Sequence, residues 1–184
     1  MTDDALRQFV IFAHFNLDGV KATLAEHPDW LEATYDWGEG NGTESPLEAA
    51  AHVGNVAIAR YLLGEGATIT PAAAAMLGDK PALEALIDLD PQNANQQGAH
   101  GIPLLAHAAF SGDVGLMEYL IARGTRLEGV SLALLNAANL GHLEVVRWAL
   151  AHGANPAAKN YQDLTAANLA RQGGFNDVVA LLEG

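Results

Sequence analysis

Apolar residues recur with helical spacing in short segments, and turn residues separate these segments along the chain. In the stretch "LGHLEVVRWALAHGANP", residues 140–156, the apolar Val145, Ala149 and Leu150 fall on one side of a predicted helix. Gly141 precedes this helix and Gly153 follows its last turn. Glycine at the latter position supplies the left-handed residue that commonly ends a helix. The pattern predicts a helix bounded by tight turns.

The same pattern occurs six times. When the chain is aligned on Gly141, the equivalent anchor positions are Asn16, Gly54, Gly78, Gly112 and Gly174. A second apolar segment precedes each anchor, and several of these segments are rich in alanine, as in "TPAAAAML". Each unit therefore predicts two helices joined by a tight turn. One such unit cannot bury its apolar face alone, so stacked units would share one continuous core.

These units resemble ankyrin repeats over essentially the whole chain. "SPLEAAAHVGN" is similar to the first half of the family pattern, and "AANLGHLEVVRWALAHGANP" is similar to the second half. "DLTAANLARQGGFNDVVALLEG" resembles the C-terminal form of the repeat. The resemblance implies an all-α solenoid in a single domain, residues 1–184, of about six helix-turn-helix units. The approximate bounds of the units are 1–36, 37–68, 69–93, 94–127, 128–157 and 158–184.

The repeat departs from the regular family pattern. Successive anchors are 38, 24, 34, 29 and 33 residues apart, whereas the ankyrin period is about 33. The 24-residue step leaves no room for a β-turn finger, and the 29-residue step allows only a shortened one. We expect fingers around residues 38–44, 94–101 and 157–164. The family's helix-capping histidine is replaced in every unit. Because the fingers are unequal, we expect the edge of the solenoid that they form, the binding edge, to be irregular.

Charge is distributed unevenly and changes which partners we expect. The net charge is −13. Residues 1–92 carry 15 acids and 4 bases, or −11, whereas residues 93–184 carry 7 acids and 5 bases, or −2. Such a field disfavours nucleic acid and would speed the encounter with a basic protein. Alternatively, the acids form a solvated face that serves only solubility.

The remaining composition indicates a compartment and a source. The chain has no cysteine, and it has no apolar run long enough for a membrane span. Two acids precede the first basic residue, which is the wrong charge order for a secretory signal. We therefore expect a cytoplasmic chain without a membrane partner. The abundance of alanine and the presence of only three lysines favour a bacterial source.

No motif predicts catalysis, a cofactor or a metal ion. The glycine-rich "GEGNG", residues 38–42, lacks the Lys-Ser/Thr of a phosphate loop. "DLDPQNANQQG", residues 88–98, lacks the glycine and the final glutamate of a calcium loop. The seven histidines include no pair at the i, i+4 spacing of helical zinc ligands. We interpret them as structural or groove-facing residues, and we expect a protein that is not an enzyme.

Candidate binding residues come from the resemblance, because the two residues before each anchor face the concave groove in ankyrin repeats. Here most of these residues are apolar across five units, and an exposed apolar column of this kind commonly marks a binding surface. Alternatively, they pack as core. The finger residues His100 and Ile102 should flank Phe110, and Tyr35 and Trp37 offer aromatic contacts among acids. Trp37 could instead pack on the first finger. The predicted partner-binding residues are Phe15, Tyr35, Trp37, His52, Val53, Met76, Leu77, His100, Ile102, Phe110 and Leu140.

Two functions fit these observations. The first is a non-enzymatic module that binds another protein in its concave groove. The second is an acidic, immunity-type neutraliser that plugs the basic site of an effector. Salt separates them, because charge-driven affinity falls steeply with ionic strength and apolar affinity does not. The sequence predicts neither the identity of the partner nor the oligomeric state.

Overall fold

The computed structural model describes residues 3–184, and this part of the chain folds into twelve α-helices and one short hairpin. None of the described helices combines the length and the apolar character that a membrane crossing requires. The helices are α1 (Asp3–Phe15), α2 (Leu17–Glu26), α3 (Pro46–His52), α4 (Val56–Gly64), α5 (Pro71–Leu77), α6 (Lys80–Leu89), α7 (Leu104–Ala108), α8 (Val114–Ala122), α9 (Val130–Leu140), α10 (Leu143–Ala151), α11 (Ala166–Gly173) and α12 (Asn176–Glu183).

Consecutive helices pair, and the pairs stack. Each odd-numbered helix packs on the next odd-numbered helix, from α1 to α11, and forms an inner row. The even-numbered helices form an outer row behind it. This arrangement confirms the predicted all-α solenoid of helix-turn-helix units.

The anchor glycines lie where the chain turns from an inner helix to an outer one. Gly141 follows α9 with a φ of 73°, a left-handed conformation that side chains rarely adopt. A Cβ atom at Gly141 would also lie 2.4 Å from the Phe175 ring of the next unit. The glycine therefore serves both the turn and the stacking of neighbouring units.

The apolar core forms two clusters that meet at α5. One cluster contains the buried residues of α1 to α4 together with Ala73 and Met76 of α5. The other runs from Ala74 and Ala75 to the last helix pair. The inner face of α5 is almost entirely alanine, so its side chains occupy little space between the second and fourth units.

The fingers occur where the anchor spacing predicts them. The first is an antiparallel hairpin of β1 (Tyr35–Asp36) and β2 (Thr43–Glu44), and "GEGNG" forms its turn. Single β-bridges close the other two fingers, between Gln97 and Pro103 and between Lys159 and Thr165. The prediction of fingers around 38–44, 94–101 and 157–164 is confirmed, as is the missing finger before α5.

The missing finger brings the second and fourth units into direct contact. The finger at residues 97–103 lies against the first hairpin, where His100 Nδ1 is 2.9 Å from the carbonyl oxygen of Asn41. His107 of α7 reaches past the alanine-rich α5, and its Nδ1 lies 3.3 Å from the carbonyl oxygen of Ala51 on α3. These contacts assemble the site described next.

Candidate functional site

A groove of about 720 Å³ runs along the inner helices and the fingers. Its lining comes from the first unit, the second unit and the fourth to sixth units, so it extends along most of the solenoid. The residues contributed by the first, second and fourth units are His14, His52, Val53, His100, Ile102 and Phe110. Those contributed by the last two units are Leu132, Leu135, Asn136, Asn139, Lys159, Asn160, Tyr161, Gln162 and Leu169.

The groove is lined by apolar and by neutral polar side chains. No aspartate or glutamate is among the described residues that line it, and Lys159 is the one charged side chain in that set. Tyr161, at the turn of the last finger, is 93% exposed. The acidic residues of the first half therefore lie outside the groove, and the groove itself offers apolar and neutral polar contacts.

Five of the predicted binding residues line this groove together: His52, Val53, His100, Ile102 and Phe110. Two others are exposed but are not part of its lining, because Phe15 is 70% exposed and Leu140 is 41% exposed at the ends of their inner helices. Whether any of these residues touches a partner stays a prediction.

The expectation of one continuous exposed column is wrong in the third unit. Met76 is fully buried and Leu77 is half-buried, and both pack with the core of the first two units. Phe110 is also half-buried rather than open. Its ring lies against Gly54, where an added Cβ would come within 2.6 Å of the ring. With no finger before α5, the neighbouring units close over this part of the column.

Tyr35 and Trp37 pack on each other and on the first core cluster rather than standing free. Their rings meet edge to face with centroids 4.8 Å apart, and both side chains are half-buried. Trp37 Nε1 donates a hydrogen bond of 2.9 Å to Glu44 Oε2. This arrangement favours the alternative in which Trp37 is a structural part of the first finger.

Three histidines surround one buried carboxylate at one end of the groove, a group that we call the histidine–Glu44 cluster (His14, Glu44, His52 and His100). Glu44 is fully buried. Its Oε1 lies 2.7 Å from His52 Nδ1 and 3.6 Å from His100 Nε2. Its Oε2 lies 3.6 Å from His14 Nε2. The three imidazoles follow one another edge to face, with centroids 4.8 and 5.0 Å apart.

Burial and charge shift the pKa values in this cluster. Burial lowers the pKa of His14 below its ordinary value, against the attraction of Glu44. Burial acts to raise the pKa of Glu44, but the adjacent imidazoles of His52, His14 and His100 outweigh it, so this pKa lies below its ordinary value. Glu44 is therefore an ionised carboxylate at neutral pH, although the protein covers it completely.

The finger holds His100 in an uncommon backbone conformation. Its φ is 57° and its ψ is 21°, the left-handed region that non-glycine residues seldom occupy. The hydrogen bond to Asn41 and the contact with Glu44 hold its ring in place. Strained residues of this kind gather at binding and active sites.

Sequence reasoning missed Glu44, and it treated the histidines as unrelated. The charge pattern treats Glu44 as one of the many acids of the first half, whereas alternation in β2 leaves Thr43 exposed and turns Glu44 inward. A usable sign was present for two of the histidines, since His14 and His52 each precede their anchor by two residues. Equivalent positions of consecutive repeats stack, so the two rings meet.

The donor atoms of His14, Glu44 and His52 lie within 4.8 Å of one another, a spacing that could hold a metal ion.

His107 lies behind the cluster and is fully buried. Burial lowers the pKa of His107 to about 4, although its contact with the Ala51 carbonyl opposes the shift. The imidazole is therefore neutral at pH 7. Among the described residues its Nε2 has no hydrogen-bond partner, and Gly98 packs directly against it.

Comparison with known families finds a match in the last two helix pairs of the solenoid. A family model described as ankyrin repeats (many copies) matches residues 134–183. The matched segment extends from the middle of α9 to the end of α12, and it includes the last finger with Tyr161.

Proposed function

We propose that the chain is an ankyrin-repeat protein that binds a segment of a partner protein in its groove, because ankyrin repeats match residues 134–183 and such repeats generally mediate contacts between proteins. The observation that carries the proposal is the exposed Tyr161 in a groove that also has apolar lining residues, which we call its apolar floor (Val53, Ile102, Phe110, Leu132, Leu135 and Leu169). Monomeric proteins rarely leave such patches open without a use. The family is typically a non-enzymatic interaction module, and we propose the same for this chain.

The lining favours an occupant with apolar side chains. Beside the apolar floor, the lining contains asparagine and glutamine side chains, which can hydrogen-bond to an extended backbone. Tyrosine is among the residues that most often dominate binding energy at the centre of an interface. We therefore propose that Tyr161 closes over the bound segment.

A displayed peptide library tests this proposal. Peptides selected on the parent protein should lose at least about tenfold in affinity with Tyr161→Ala, which corresponds to about 1.4 kcal/mol. Val53→Asp, which places a charge on the apolar floor, should lower the affinity of these peptides further. Leu89→Ala is the matched control, because Leu89 is 84% exposed at the end of α6 and is not in the lining. Peptides that bind all these variants equally well would rule out the groove.

The acidic neutraliser is the second proposal. Glu32, Asp36 and Glu39 are exposed around the first finger, so a basic effector would meet charge there rather than in the groove. In that case the affinity of the selected partner should fall steeply between low and high salt. An apolar groove ligand should keep its affinity across the same range. The two proposals therefore differ in the salt dependence and in the response to Val53→Asp.

A further inference from the structure

The histidine–Glu44 cluster brings more donor atoms to one point than its own hydrogen bonds use. Three ring nitrogens approach the two oxygens of Glu44, from His14, His52 and His100. Glu44 Oε1 and His52 Nδ1 are only 2.7 Å apart. Within the described part of the chain, neither atom has a hydrogen-bond partner in spite of this short distance.

In two of these rings, the nitrogen that does not face Glu44 already has a hydrogen-bond partner. His14 Nδ1 lies 2.9 Å from the Val10 carbonyl oxygen, and His100 Nδ1 lies 2.9 Å from the Asn41 carbonyl oxygen. A carbonyl oxygen only accepts, so each Nδ1 carries the proton and donates. The neutral ring then presents a lone pair on Nε2. Both lone pairs face the negative charge of Glu44, an arrangement that requires a cation or additional protons between them.

We propose that this cluster binds a divalent transition-metal ion of the zinc class. Its ligands are His14 Nε2, His52 Nδ1 and the Glu44 carboxylate, and His100 Nε2 lies next to them as a fourth donor. Two histidines and a glutamate form a known ligand set for zinc in sites that keep an open position. A backbone carbonyl that accepts from the second ring nitrogen is the usual support for a metal-binding histidine.

The distances fit such an ion after a small movement. Bonds of about 2.0–2.1 Å in tetrahedral geometry place neighbouring donors about 3.3 Å apart. The separations of 3.6 Å from Glu44 to His14 and His100 are close to this value. The 2.7 Å pair of Glu44 and His52 must open, by about half an ångström.

The alternative to a metal ion is a set of protons. His52 can donate from Nδ1 as a neutral ring, whereas His14 and His100 already donate from Nδ1 and would each need a second proton, and a positive charge, to pair with Glu44. One divalent ion carries the same total charge of +2, and the lone pairs of these two rings coordinate it directly without protonation of either ring. The two states are distinguished by adding the metal alone, without any protein partner, so the test does not depend on the proposed function of the groove.

Cobalt supplies the probe, because Co²⁺ in a tetrahedral protein site gives visible absorption bands and Zn²⁺ displaces it. We expect the metal-free parent protein to bind one equivalent of Co²⁺. His14→Gln and His52→Gln should each weaken binding at least about tenfold, since even supporting partners of a ligand change metal affinity 10–100-fold. His27→Gln and His152→Gln are matched controls. These histidines stack on Trp30 and Trp148 away from the cluster, and their loss should leave affinity unchanged.

Several results would overturn the proposal. These are a parent protein that binds no Co²⁺ at millimolar concentration, cluster variants that bind as tightly as the parent, and controls that lose as much affinity as the cluster variants. If a cluster variant does not fold, imidazole ¹⁵N shifts of the parent decide the question. Addition of Zn²⁺ should shift His14 Nε2 and His52 Nδ1, whereas unchanged shifts would show that the cluster holds protons only.

Discussion

Gly98 packs against the buried imidazole of His107, and this contact supports the finger that carries His100. A Cβ atom at residue 98 would lie 2.5 Å from His107 Nε2 and 3.1 Å from the Cβ of Ala72. The backbone of Gly98 has a φ of −79° and a ψ of −166°, which any residue can adopt. Gly98→Ala is therefore a purely steric perturbation, free of the strain that a left-handed glycine would add.

Two effects of opposite sign determine the size of the change. The added methyl group has no open space, because His107 is fully buried and held to the Ala51 carbonyl. Overpacking of this kind costs about 1–3 kcal/mol. Restricting the unfolded chain returns about 0.4–1 kcal/mol. We expect Gly98→Ala to lower the free energy of unfolding by about 1–2 kcal/mol.

Urea unfolding followed by circular dichroism measures this difference, and a double-mutant cycle identifies its cause. His107→Ala removes the ring that the new methyl group would strike. The double variant should therefore be more stable than the sum of the two single changes predicts, with a coupling of about 1 kcal/mol or more. Gly64→Ala is the control. It adds the same methyl group to a glycine of α4 with no neighbouring atom within 4 Å, and it should stabilise the protein slightly.

The cycle has a clear negative outcome. If Gly98→Ala is as stable as the parent, or if the two single changes add within about 0.5 kcal/mol, the packing of Gly98 on His107 is not as described. The fourth unit's finger would then be held against the first hairpin by other contacts. The position of His100 beside Glu44 would need a different explanation.

Two further predictions concern Phe110 and His107. Phe110 is half-buried against Gly54. Truncation of a core phenylalanine to alanine costs about 3–5 kcal/mol, and truncation at an open site costs little. We therefore expect Phe110→Ala to lower the free energy of unfolding, measured in urea, by about 2 kcal/mol. A cost below about 0.5 kcal/mol would show that the ring is fully solvated. The pKa of His107 is lowered from 6.5 to about 4 in the folded protein. As the pH falls, His107 is therefore protonated in the unfolded chain before it is protonated in the folded one. The stability that is present above pH 6.5 is lost as the pH falls toward 4. Between pH 7 and pH 4 the parent should lose about 3 kcal/mol more than His107→Asn, and equal losses would contradict the neutral, buried state.

The repeat pattern alone determined the architecture. Apolar spacing and anchor glycines specify where each helix starts and ends, because the period of a helix and the left-handed turn are local properties of the chain. Anchor spacing also located the fingers at residues 38–44, 94–101 and 157–164 and the missing finger before α5. A 24-residue step cannot contain two helices and a finger, whatever surrounds it.

The site was decided by tertiary structure. His14 and His52 share a repeat position, but His100 lies 48 residues beyond His52 and Glu44 lies in a finger, so no repeat spacing relates all four side chains. They meet at Glu44 because consecutive units stack, and because the third unit has neither a finger nor large inner side chains to keep the second and fourth units apart. The burial of Met76 and the partial burial of Phe110 also depend on the neighbouring units. Exposure depends on what packs above a residue, and in an irregular solenoid that neighbour comes from a distant unit.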